Sequence, residues 1–139
     1  MNIFDFRERP ELKADDRTEE LARLVIGAAI EVHRHLGPGM PEYSYRDALC
    51  HEFDLQGVEY EREARFAITY KGKDVGQGRI DILVGRVLIV ELKVVECLNN
   101  VHRAQVISYL QATKLRPGLL INFNVAVLKD GIKRVINTF

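Results

Sequence analysis

One stretch constrains this chain more than any other: "RIDILVGRVLIVELKVV", Arg79 to Val95. It is apolar and rich in β-branched residues, and it reads as two buried strands around Gly85-Arg86. Yet it carries Asp81 near one end and Glu91-Leu92-Lys93 near the other. An unpaired buried charge is strongly unfavourable, so three charged groups in a core hairpin need partners or a chemical task.

Side chains alternate faces along a strand, so Glu91 and Lys93 share a face and Leu92 points away. Whether Asp81 joins them depends on the turn. A two-residue Gly85-Arg86 loop pairs residue 84 with 87 and turns Asp81 away from Glu91. A three-residue loop over 85–87 pairs 84 with 88 and sets Asp81 directly opposite Glu91, and a bulge has the same effect. With that offset two carboxylates and an amine converge. Such oxygen ligands suit Mg²⁺ or Mn²⁺, and a water activated by such an ion beside a lysine suits phosphodiester hydrolysis. On spacing alone, a cross-strand Asp–Lys or Glu–Lys salt bridge accounts for the same residues at least as well.

The rest of the chain supplies the scaffold. Residues 1–16 read as a polar N-terminal arm, and 17–139 as one domain. Asp16 or Thr18 can cap a helix whose apolar stripe is Leu21, Leu24, Val25, Ala28, Ala29, Val32 and Leu36, ended by "GPG" at 37–39. Pro41 suits the first turn of a second helix, running to about Gln56 with Gly57 as its stop. From Val58 the period changes to two, giving a strand to Tyr70, a "KGK" turn, and strands at about 78–84 and 87–95. "LNN" opens a third helix to about Lys114. Pro117-Gly118 breaks it, "GLLINF" is a continuous apolar strand, and the tail reads as a hairpin turning at Asp130-Gly131. The order is α-α-β-β-β-α-β with a C-terminal β tail. The strand–helix–strand unit around the third helix requires a parallel crossover, so the fold class is α/β, a mixed sheet flanked by helices.

Two helices add polar candidates. Glu42 is in line with Tyr45, Leu49 and Phe53, an inward stripe where an acid faces a polar pocket or simply favours the helix N-terminus. His102, Gln105 and Tyr109 share a face of the third helix. Gln105 and Tyr109 are one turn apart and can contact a phosphate or base edge, or satisfy each other.

These residues together resemble the PD-(D/E)XK nuclease superfamily. Asp81, nine intervening residues and Glu91-Leu92-Lys93 match its acid–ExK pattern, with "RID" in place of the leading Pro-Asp. Gly39, Glu42 and Tyr45 match the GxxExxY motif of one branch, Gln105 and Tyr109 match QxxxY, and "GLLINF" is similar to the same branch. The resemblance covers about residues 20–137. It implies a restriction-endonuclease-like core and a Mg²⁺- or Mn²⁺-dependent nuclease acting on nucleic acid, DNA ahead of RNA. By the same resemblance Asp81, Glu91 and the Leu92 backbone carbonyl bind the metal, with Glu42 as a supplementary acid. Lys93 positions the attacking water, and Gln105 and Tyr109, with Tyr45 and His102 nearby, support site or substrate.

Bulk properties bound the alternatives. Twenty basic and 20 acidic residues leave zero net charge, against binding by an overall positive field. The charge is uneven, however: Cys97–Phe139 holds Arg103, Lys114, Arg116, Lys129, Lys133 and Arg134 against Asp130 alone. A binding or regulatory module that keeps the fold without catalysis stays open, and a homodimer would enlarge a small contact surface. No apolar run has the roughly 20 residues of a membrane span. The N-terminus lacks a secretory pattern, and two cysteines, Cys50 and Cys97, make no disulfide framework, so a cytoplasmic protein is expected.

Overall fold

A computed structural model describes residues 16–137. The arm expected over residues 1–16 lies, but for Asp16, outside them. Helix α1 spans Asp16–Leu36 and α2 Glu42–Gln56. Strands β1 (Tyr60–Tyr70), β2 (Lys73–Val84) and β3 (Leu88–Lys93) follow, then α3 (Asn100–Thr113), β4 (Pro117–Asn122) and β5 (Ile132–Ile136). The five strands form one mixed sheet in sequence order, antiparallel throughout except for the parallel β3–β4 pair that α3 connects. This is the α/β architecture the sequence predicts.

The sheet has an apolar layer on each face, which is why its central strands read as continuous apolar runs rather than alternating ones. On one face α1 and α2 pack Val25, Ala29, Tyr45, Leu49 and Phe53 against Ile82, Val84, Leu88, Val90, Leu92, Leu119 and Ile121. On the other, Val106 and Leu110 of α3 cover Ala64, Ile80, Ile89, Leu120 and Val135. Every β4 residue is buried.

Local chemistry fixes the ends of the helices. Gly57 closes α2 at φ 69°, a left-handed position that costs glycine little. Asn99 caps α3 by accepting the Val101 and His102 amides, and the His102 ring accepts the Asn99 amide in return. Beyond β3, the Asn122 side chain accepts from the Val95 amide at 3.1 Å and donates to the Val95 carbonyl at 2.9 Å. That two-point contact carries the chain away from the end of β3.

Two expectations need correction. Strand β2 begins at Lys73 rather than near 78, so β1 and β2 make a long hairpin that outruns β3. The tail is not a hairpin on its own: Leu128–Gly131 forms a 3₁₀ turn, and β5 then pairs antiparallel with β4. Leu128 is drawn into the core, and Gly131 passes so close to β4 that a Cβ there would meet the Asn122 carbonyl oxygen at 2.2 Å. The glycine is needed for close approach, not for a hairpin turn.

Candidate active site

The β2–β3 connection decides the site's geometry. Gly85 (φ 58°) and Arg86 (φ 65°) are both left-handed, the condition of a type I′ turn, and the Val84 carbonyl accepts the Val87 amide at 3.1 Å. The ladder nevertheless resumes with Val84 opposite Leu88, then Leu83 opposite Ile89 and Ile82 opposite Val90. Val87 is thus the extra residue of the three-residue loop, and the next pair in register is Asp81 and Glu91.

At that pair the backbone ladder gives way to side chains. The Asp81 amide donates to Glu91 Oε2 at 2.6 Å, and the Leu92 amide donates to Asp81 Oδ2 at 2.8 Å. Each carboxylate so replaces a carbonyl acceptor on the opposing strand, and the strands diverge beyond it. The alternation of β2 also breaks here: Ile80 packs under α3, whereas Ile82, two residues on, packs under α1 and α2. Across on β1, Glu63 sits at φ 52°, between the Arg62–Ile82 and Ala64–Ile80 pairs. The irregularity turns Asp81 to the wedge opened by the two strands.

That wedge is a cavity of about 440 Å³ lined by Glu42, Arg65, Gln77, Gly78, Arg79, Asp81, Glu91, Lys93, Gln105 and Tyr109. Glu91 is 3% exposed. Burial, reinforced by the Asp81 charge, pushes its carboxyl up to about 8 against the amide that favours ionisation. Burial likewise raises Asp81, opposed by the Leu92 amide and the Lys93 charge. Partial desolvation and the facing Asp81 raise Glu42, and burial and Glu91 raise Tyr109. The cavity therefore gathers three acids, Glu42, Asp81 and Glu91, whose ionisation burial opposes, opposite the cationic Lys93, Arg65 and Arg79.

The Lys93 amine donates to Gln105 Oε1 at 2.9 Å rather than pairing with a carboxylate, and Gln105 Nε2 donates to Tyr109 OH at 3.3 Å. The cross-strand salt bridge that spacing alone allowed is absent among the described residues. Instead α3 holds the amine beside the acids, where its charge acts on Asp81, Glu91 and Glu42.

Of the sequence candidates, Glu42, Asp81, Glu91, Lys93, Gln105 and Tyr109 line this one cavity. Tyr45 and His102 do not. Tyr45 is fully buried, stacked on Phe123 at 4.4 Å, with its hydroxyl donating to the Gly37 carbonyl and accepting the Met40 amide. It ties down the loop that delivers Glu42 to the first turn of α2. His102 is spent in the α3 cap. The cavity wall adds Arg65, Gln77, Gly78 and Arg79, which sequence reading did not single out. Finding them needs the β1–β2 register, which places Arg65 opposite Arg79.

The donor set fits a hard divalent ion. One oxygen of each carboxylate is held by a backbone amide, and among the described residues no donor meets the other. Among the described residues no group of three or more His, Cys, Asp or Glu is gathered to cage an ion. Mg²⁺ takes one or two carboxylates and keeps several waters, so Asp81 and Glu91 are the residues that could hold it.

A mixed sheet between helix layers, with two opposed acids and a lysine where its strands diverge, defines the restriction-endonuclease-like class. A sequence model of the PD-(D/E)XK nuclease superfamily matches residues 19–135, and the chain belongs to that superfamily. No curated protein matches the chain. A solved structure described as "Crystal structure of SSO0001" is similar at a TM-score of 0.48 and 15% identity, over 86% of this chain and 79% of that one. No helix among the described residues is long and apolar enough to cross a membrane.

Proposed function

We propose that this protein is a divalent-metal-dependent nuclease of the GxxExxY branch that hydrolyses phosphodiester bonds in DNA. The reading is carried by the two opposed carboxylates, Glu91 on the Asp81 amide and Asp81 on the Leu92 amide, set beside a lysine that α3 holds through Gln105. Asp81, Glu91 and the Leu92 carbonyl would hold Mg²⁺ or Mn²⁺, with Glu42 at the cavity rim as a supplementary acid. When bound, the ion supplies Lewis-acid polarisation of the phosphoryl group and lowers the pKa of water.

This chain's residues supply the rest. Lys93 donates to the attacking water and offsets negative charge building on the phosphoryl oxygens. Gln105, accepting from that amine, fixes its direction, and Tyr109 fixes Gln105.

The test is Mg²⁺- or Mn²⁺-dependent cleavage of single-stranded, duplex and branched DNA, with RNA as a parallel panel. Lys93→Ala and Asp81→Asn should each abolish cleavage while the folded state persists by circular dichroism. Cleavage surviving in both variants rejects the proposal. Calorimetric titration with Mn²⁺ separates a silent fold, which lacks a tight divalent site, from an enzyme.

A further inference from the structure

The β1–β2 hairpin runs past the end of β3 and forms the outer wall of the cavity. On it Arg65 lies directly opposite Arg79. Directly opposed residues of an antiparallel pair share a face with Cβ atoms about 5 Å apart, and like charges so placed destabilise the pair. Neither guanidinium is strongly satisfied. Arg65 Nη1 reaches Gln77 Oε1 at 3.4 Å, and Arg79 Nη1 lies 3.8 Å from an exposed Glu63 carboxylate. Arg79 shares that Glu63 oxygen with Arg46, so the two adjacent arginines line the open cavity with only long or shared contacts.

The wall is also braced. A Cβ at Gly78 would fall 2.0 Å from Phe66 Cζ, so the Phe66 ring lies on the bare backbone of the neighbouring strand. From there it meets the Tyr109 ring at 4.9 Å, edge to face. Tyr109 in turn receives Gln105, which holds Lys93. The arginine pair is therefore fixed relative to the acid–lysine centre through α3. Along β2, Arg79 is two residues from Asp81, roughly 6.6 Å of strand. An anion held by the arginines lies on the scale of one nucleotide from the carboxylates.

We propose that Arg65 and Arg79 form a phosphate clamp that grips the nucleic-acid backbone next to the phosphate engaged at Asp81 and Glu91. Planar guanidinium forks suit the two oxygens of a phosphodiester, and the anion removes the repulsion that the empty pair suffers. The position of the clamp rests on the nuclease reading; its ability to bind does not.

The test uses the full chain in EDTA and a fluorescein-labelled oligodeoxynucleotide, single-stranded and duplex, followed by anisotropy between about 50 and 200 mM salt. The Arg65→Ala/Arg79→Ala double variant should bind roughly tenfold or more weakly, with a salt slope lower by about 1. The double lysine variant should recover the slope but not the affinity, because it keeps the charge and loses the fork. Unchanged affinity and slope in the alanine variant, or full recovery by lysine, overturns the clamp. So does wild-type protein that binds no oligonucleotide. Without nucleic acid the alanine variant should unfold at or above the wild-type temperature, since a repulsion is gone. A lower temperature assigns the arginines to holding the hairpin and also overturns the clamp. Binding of the expected kind with no cleavage in Mg²⁺ or Mn²⁺ sinks the nuclease reading and keeps the clamp. Cleavage and binding untouched by the double variant do the reverse.

Discussion

Asp81 and Glu91 each accept a backbone amide of the opposing strand through their side chains: Glu91 Oε2 accepts the Asp81 amide at 2.6 Å, while Asp81 Oδ2 accepts the amide of Leu92 at 2.8 Å. This arrangement ends a β ladder and builds a cavity with the same atoms. It also places two carboxylates side by side in a largely buried position, where desolvation and mutual repulsion oppose ionisation. The native protein so carries a local instability, which under the proposed function a bound cation would remove, a trade of stability against activity.

The first consequence is a pH dependence of stability in the metal-free protein. Glu91 titrates near 4.5 when unfolded and is pushed up to about 8 when folded. Between those values the folded state binds the extra proton, so protonation favours folding. The stabilisation is complete below the unfolded value and is lost as pH rises through about 8. In EDTA the thermal midpoint should fall across this window, by an amount on the order of a few kcal/mol in stability. Added Mn²⁺ should raise the midpoint more at about pH 8 than at about pH 5, because a protonated carboxyl binds no metal. A midpoint that rises with pH in EDTA would contradict the buried-acid description.

Removing one charge while keeping its oxygen should have the matching effect. Glu91→Gln leaves an amide oxygen to accept the Asp81 N–H and abolishes the repulsion between the acids. Above the folded titration of Glu91 the variant should be more stable than wild type by roughly 1–3 kcal/mol, measured by urea unfolding in EDTA. It should also lose Mn²⁺ binding. A destabilised variant would mean that Glu91 is held by charge pairing after all.

How far the site was legible in the sequence follows from the same residues. Alternation put Glu91 and Lys93 on one face, but Asp81 could be assigned only conditionally, because Gly85-Arg86 reads equally as a two-residue turn. The deciding residue, Val87, is indistinguishable from a strand residue by composition. Helix boundaries were legible because "GPG", Pro41, Gly57 and Asn99 act locally. The tail departs from the expected hairpin because Val125 and Val127 carry strand propensity into a segment whose path is set by Leu128 entering the core. Helix periodicity groups His102 with Gln105 and Tyr109 because its capping role depends on the backbone at Asn99, which periodicity does not see. The arginines of the outer wall depend on a register 14 residues apart, Arg65 to Arg79, which no local pattern encodes.

Gln105 is expected to act on Lys93 and not on the metal. Replacing it with leucine removes the acceptor at 2.9 Å while retaining comparable bulk. Single-turnover cleavage should slow by about ten- to a hundredfold, the usual scale for a group that orients a functional side chain. Mn²⁺ affinity by calorimetry should stay within about twofold of wild type, since Gln105 touches neither acid. Equal losses in both measurements would show that the substitution collapses the cavity.

Gly78→Ala probes the brace between the hairpin and α3. The new methyl would fall 2.0 Å from Phe66 Cζ and 2.5 Å from the adjacent ring carbons, well inside van der Waals contact. The ring must leave its place on β2 and with it the 4.9 Å edge contact to Tyr109. Overpacking of this kind costs about 1–3 kcal/mol. The aromatic contact contributes about 0.5–1.5 kcal/mol, so the loss of stability should fall at the upper end of the overpacking range. Phe66→Leu vacates the ring's position, and in that background alanine at 78 should be nearly silent. The double-mutant cycle therefore reads the coupling directly. Additive losses would place the cost of the methyl elsewhere than the ring.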